Sequence, residues 1–107
     1  MAKLNSAAVA KISKGTTELY EVNGTVQQVK VSELIITNTD TSGPVTVSAK
    51  IFKATSGTAI TIIPNMNLLA VESKIISLST FLTNGDKILI EANVDNAVDV
   101  MVSFIEV

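Results

Sequence analysis

The chain has 107 residues, 47% of them hydrophobic and 17% charged, with a formal net charge of −2. That length fits one domain with one thin core and leaves little room for a deep active site. It contains no Cys, His or Arg, which excludes disulfides, thiolate or imidazole zinc sites and every Ser-His-Asp or Cys-His nucleophile system.

Residues 1–15 read as an N-terminal arm. Ala7, Ala8, Val9, Ala10 and Ile12 suit a short helix capped by Ser6, or an extended arm along a neighbouring sheet. Gly15 ends the segment in either case. From residue 16 to 107 the pattern is β throughout, a single sandwich domain. Val, Ile and Thr recur, with Gly, Asn and Asp every eight to twelve residues or so. A first strand over 16–22 carries Leu19 and Val22. Asn23-Gly24 is a type I′ hairpin signal, because both central positions need positive φ.

A long second strand spans 25–38. Val29 and Val31 share one parity, and Leu34 and Ile36 the other. One extra residue near Ser32-Glu33 restores a single apolar face, which predicts a β-bulge or bend. Residues 39–44 are a loop by composition. Over 45–53, Val45, Val47, Ala49 and Ile51 face inward, and Thr46, Ser48 and Lys50 face out. Phe52 interrupts the polar face and is read as a partner contact.

A short strand over 58–63 ends at Pro64-Asn65. Residues 66–72 fit a strand or a helical turn. A strand over 74–79 places Ile76 and Leu78 on one face. Asn84-Gly85-Asp86 is a tight turn, and 87–93 turns Ile88, Ile90 and Ala92 inward. The last strand, 98–107, is apolar on both faces: Val98, Val100, Val102 and Phe104 on one, Met101, Ile105 and Val107 on the other. Such a strand is covered on both faces, so a covering arm or a subunit interface is expected there. The fold class is therefore all-β, an antiparallel sandwich of jelly-roll or immunoglobulin-like type with about seven to nine strands.

Mean hydropathy is +0.44, and the charged fraction falls below the roughly 25% of an average domain. A small domain has much surface to cover, so this apolar surplus points to association. Val9 and Ile12 of the arm, with Phe52, are the candidate counterparts of Met101, Ile105 and Val107. Scattered lysines (Lys30, Lys50, Lys53, Lys74, Lys87) form no basic patch, so nucleic acid is not expected as a partner. The longest apolar run, Leu68 to Val71, is too short to span a membrane. With no basic-plus-apolar leader, the chain is expected to be made in the cytosol and stay soluble, or to leave by a route that needs no signal peptide.

Chemistry is sparse. Glu18, Glu21, Glu91 and Glu106 would need to face one another across a cleft to act as a hydrolytic pair, and they read as solvated strand charges. Asp95-Asn96 and Asp99 match no calcium loop and suit turn chemistry. Asn23-Gly24-Thr25 formally matches a glycosylation acceptor, but a turn explains it. No Gly-rich phosphate loop is present. Neither cofactor, metal nor catalytic residue is expected.

Read together, Leu19-Tyr20-Glu21-Val22, a Gly turn, a strand ending Ile35-Ile36-Thr37-Asn38, then Leu82 before Gly85-Asp86-Lys87-Ile88 and a closing Ile105-Glu106-Val107 form an ordered series. It resembles that of small structural proteins of tailed-bacteriophage virions, over residues 19–107. Proteins of that kind often carry Pro-Ala-Gly at the first turn, where this chain has Asn23-Gly24. The resemblance implies a non-enzymatic β-sandwich, assembled in the host cytoplasm into a virion. Its partners would be copies of itself and other virion proteins such as the major capsid protein. A capsid decoration or cement role is the leading expectation, with a tail or baseplate adaptor second. A carbohydrate-binding or adhesive module is a third reading, disfavoured because the chain has no Trp, one Tyr and three Phe.

Overall fold

The computed structural model describes residues 3–23 and 28–106. Among them, eight strands follow in order: β1 (Lys3–Val9), β2 (Gly15–Glu21), β3 (Gln28–Asn38), β4 (Val45–Lys53), β5 (Thr58–Leu68), β6 (Ser73–Thr83), β7 (Lys87–Ala92) and β8 (Val98–Glu106). They form two four-stranded sheets, sheet A in the order β1-β8-β3-β6 and sheet B in the order β2-β7-β4-β5. Every pairing is antiparallel.

The order has a simple origin. Pairs β1·β8, β2·β7, β3·β6 and β4·β5 are the rungs of one long ribbon. Rolling that ribbon brings β3 against β8 and β4 against β7. This is a jelly roll, and it resolves the jelly-roll or immunoglobulin alternative. Successive strands β1, β2, β3 and β4 alternate between the layers, so β2 and β3 do not pair and no two-stranded hairpin joins them. The Asn23-Gly24 signal marks a crossing between sheets. The turn itself, from Gly24 through Gln27, lies outside the described residues.

Residues 3–9 form an edge strand along β8, from Lys3 opposite Glu106 to Val9 opposite Val100. The helical reading of Ala7 to Ala10 is therefore replaced by the extended one. After β1, Ile12 donates its N–H to Val98 O at 3.0 Å and accepts one from Asn96 N at 3.1 Å. Asp99 accepts from Lys11 N at 2.7 Å and Asp95 from Lys14 N at 2.6 Å. The 95–99 carboxylates thus staple the β1–β2 loop.

The phase switch in β3 is present. Register shifts against both β6 and β8 fall between Val31 and Glu33, and Val29, Val31, Leu34 and Ile36 are all fully buried. The inward sets of β4 and β7 are buried as the alternation requires. Ser48, expected outside, is buried because β5 does not stop at Pro64-Asn65. It continues to Leu68 through two register shifts, and Asn65 leans over Ser48, its N–H donating to Ser48 Oγ at 2.9 Å. A proline is tolerated here because β5 is an edge strand.

Two fully buried polar side chains lock the ends of the sandwich. Asn38 Nδ2 donates to the carbonyls of Gly43, Leu68 and Leu69 at 3.0–3.2 Å, and its Oδ1 accepts from Asp40 N at 2.9 Å. At the other end, Asp86 accepts from Lys53 Nζ at 2.6 Å, Ala54 N and Thr83 N at 2.9 Å, and Thr83 Oγ1 at 3.3 Å. Burial pushes that carboxyl up, but the bonds from Lys53, Thr83 and Ala54 and the Lys53 charge outweigh it and leave it below its ordinary pKa. Gly85 beside it has φ +92°, and a Cβ there would lie 2.8 Å from Ala54 Cβ.

Candidate interaction surface

Pairing register decides which side chains share a face, because directly opposed residues project the same way. On the outer face of sheet A this gives rows of alternating character. Ala8, Met101, Ile35 and Ile75 form one apolar row across β1, β8, β3 and β6. Ser6, Ser103, Glu33 and Ser77 form a polar row beside it. Leu4, Ile105, Lys30 and Phe81 form the next. Leu4 is 80% exposed, Ile75 66%, Phe81 50% and Met101 37%. Covering what these four expose would release roughly 5 kcal/mol before the costs of association. A shallow hollow of about 220 Å³ opens beside Met101, walled by Ala8, Ile35, Thr37 and Asp99.

The outer face of sheet B is different. Glu18, Lys87, Lys50 and Glu91 stand there, joined as Lys50–Glu91 and Lys87–Glu18 pairs at 3.4 Å each. A hollow of similar size, about 220 Å³, is walled by Ser48, Lys50, Thr61, Asn65 and Glu91. Sheet A therefore exposes most of the large apolar side chains, with Lys30 and Glu33 among them, while sheet B carries two ion pairs and exposes Ile60 in its edge strand.

The candidate interface residues separate accordingly. Met101 and Ile105 lie on the outer face of sheet A, exposed and half-buried respectively. Phe52 lies on the other sheet, half-buried, with Lys87 Nζ 5.7 Å from its ring centre. Val9 points inward, opposite Val100, and packs against the core. Ile12 is 2% exposed and is withdrawn as a contact residue, because the loop staple drives it into the core. Val107 lies outside the described residues. The arm does not cover β8; it extends the sheet beside it, leaving the second face of β8 open.

Sequence patterns missed Leu4, Ile35, Ile75 and Phe81. Ile75 and Phe81 have odd parity in a strand whose even positions, Ile76, Leu78 and Leu82, pack inward, and that mismatch is the signal that marks them. The β5–β6 turn also exposes Leu69 and Val71. Val71 has φ +54°, uncommon for a β-branched residue.

The carboxylates do not converge on a cleft. Glu18 and Glu91 pair with different lysines, and Glu106, in the other sheet, accepts from Asn5 Nδ2 at 3.3 Å. Tyr20 is half-buried with its ring 4.3 Å from that of Phe104. Burial and then the Glu106 charge raise its pKa. It offers no open stacking platform.

The fold is shared with solved structures. A chain of the T13 infectious bursal disease virus particle matches with TM-score 0.62 and 10% identity, over 97% of this chain and 30% of that one. A chain from the acid-stable capsid of Helicobacter pylori bacteriophage KHP30 matches with TM-score 0.61 and 16% identity, over 99% and 87%. The Drosophila NLP core, described for pentamer formation and histone binding, matches with TM-score 0.59 and 9% identity, over 100% and 97%. This chain spans about a third of the length of the bursal-virus chains. No family model and no curated protein matches it. At these identities the likeness is one of fold, a β-sandwich shared by chains of viral particles and by the NLP core.

Proposed function

We propose that this chain is a non-enzymatic structural subunit of a virus particle, acting as a decoration or cement protein of a tailed-phage capsid. The observation that carries the reading is the pair of rows of exposed apolar side chains on the outer face of sheet A, one of them interrupted by Lys30, set on a jelly roll whose solved neighbours include chains of two viral particles. The face would be covered by shell protein or by sister subunits in the virion. The ion-paired face of sheet B would remain toward solvent. Near-complete overlap with the phage capsid chain supports a subunit of this size standing on its own. Overlap with a pentamer-forming core supports self-association.

The test is copy number in purified particles from cells producing the chain, measured by quantitative mass spectrometry against the principal shell protein. Copies in the hundreds, in fixed ratio to shell protein, are expected. A handful per particle would replace the decoration role with a tail or baseplate adaptor. Absence from particles would overturn the virion reading.

A further inference from the structure

The two sheets treat their edges differently. In sheet B, edge strand β5 carries Pro64, a positive φ at Asn65 and two register shifts. The opposite edge, β2, has a register shift at Leu19. Prolines and bulges blunt an edge against pairing with another chain. Edge strand β6 of sheet A has no residue of positive φ. It runs eleven residues with no proline, and its burial alternates without a break. Its only charge is Lys74. Its ladder with β3 shifts register once, setting Leu78 and Ser79 opposite Ser32, and the burial alternation breaks on the β3 side. Among the described residues no strand pairs with the far side of β6, so its backbone donors and acceptors there are free for another strand.

The outer-face side chains of β6 are symmetric in character about its midpoint, Leu78. The outer-face series Ser73, Ile75, Ser77, Ser79, Phe81, Thr83 reads polar, apolar, polar from either end. An antiparallel copy with Leu78 opposite Leu78 sets Ile75 against the partner's Phe81 and Ser77 against the partner's Ser79. Ser73 then meets the partner's Thr83. All eleven positions find an opposite residue, and the two copies of Lys74 stand at opposite ends. Pairing of this kind is isologous, the same patch used by both subunits, and backbone bonds of an added strand supply much of its affinity.

We infer that β6 pairs with β6 of a second copy about a twofold axis at Leu78, making one eight-stranded sheet from two sheets A. The apolar row through Met101, Ile35 and Ile75 then runs on into the partner's Phe81 and, past the partner's Lys30, the partner's Ile105. The dimer presents two long stripes, apolar but for one Lys30 in each, a wider footing for a shell than one copy provides. The inference deepens the reading of an assembling subunit, and its test needs no particle.

Ser77 and Ser79 are both exposed, so substitutions there leave the fold intact, which circular dichroism checks. In sedimentation equilibrium the unmodified chain is a dimer. The Ser77→Lys plus Ser79→Lys variant sets lysines opposite lysines at two symmetric places and raises the dissociation constant at least about tenfold. The Ser77→Lys plus Ser79→Glu variant restores opposite charges across both pairs and keeps the dimer. Register is read by disulfides, because the chain has no native Cys. Ser77→Cys plus Ser79→Cys cross-links on mild oxidation. Ser77→Cys alone does not, since its two copies sit about 8 Å apart, beyond disulfide reach. A monomeric chain at all concentrations, equal dimerisation of both charge variants, or cross-linking by Ser77→Cys alone overturns the inference. Failure of the copy-number test would leave this dimer standing, and loss of the dimer would leave particle binding standing.

Discussion

Replacing Asp86 with Asn tests the lock between the β6–β7 turn and the end of β4. The carboxylate is fully buried and accepts four bonds, one through Oδ1 from Ala54 N and three through Oδ2 from Lys53 Nζ, Thr83 N and Thr83 Oγ1. An amide has one acceptor oxygen. If that oxygen takes the Oδ2 place, the new NH₂ faces the N–H of Ala54, and a buried donor is orphaned at about 1–3 kcal/mol. The remaining bonds lose their charge assistance, about 1 kcal/mol more. The expected cost is about 3 kcal/mol, a melting temperature lower by about 12 °C for a chain of this size. Acidity gives the second signature. The folded pKa of Asp86 lies below its unfolded value, so the unfolded chain takes up the proton first. The stability is present above the ordinary carboxylate value near 3.9 and is lost as pH falls through the folded one. Melting curves from pH 7 to pH 2 should show a shallower acid limb for Asp86→Asn than for the unmodified chain. A melting point within about 3 °C of the unmodified protein, or parallel acid limbs, would refute the reasoning.

Three further outcomes are expected. Asn38→Ala strips a partner from three carbonyls and one N–H and should cost about 2–3 kcal/mol, read as a lower urea midpoint. Gly85→Ala meets both a positive φ and the Ala54 Cβ, whereas Gly57, with φ +67°, has open space. Gly85→Ala should therefore lower the melting point more than Gly57→Ala, the former by about 2 kcal/mol in stability. Met101→Lys changes a side chain on an open face and should move the melting point by less than about 2 °C. It should weaken binding to particles at least tenfold in a co-sedimentation assay.

Much of the strand content was legible because burial imposes a two-residue period. The switch between Val31 and Leu34 was readable as a bulge for the same reason: a single core can accept both pairs only with an extra residue between them. What failed was pairing. Asn23-Gly24 looks like a hairpin locally, yet a roll sends β2 and β3 to different layers, and nothing in the turn residues encodes that. The length of β5 was hidden because Pro64 ends a central strand but not an edge one. The apolar outer face of sheet A was legible at Met101 and Ile105, whose strand is apolar on both faces. Its other members needed the register, which alone aligns Ile35 and Ile75 with Met101. Ile12 misled because its burial depends on a loop staple made by Asp95, Asn96 and Asp99, residues more than eighty positions away. The Asn38 and Gly85-Asp86 motifs proved to be fastenings of the fold.

The central claim is that sheet A meets other proteins and sheet B meets water. Hydroxyl-radical footprinting of the chain, free and assembled on particles, tests it most directly. Met101 and Phe81 should be protected on assembly, while Met66 and Leu89 of sheet B react as before. Protection of Leu89 with Met101 and Phe81 unchanged would contradict the account.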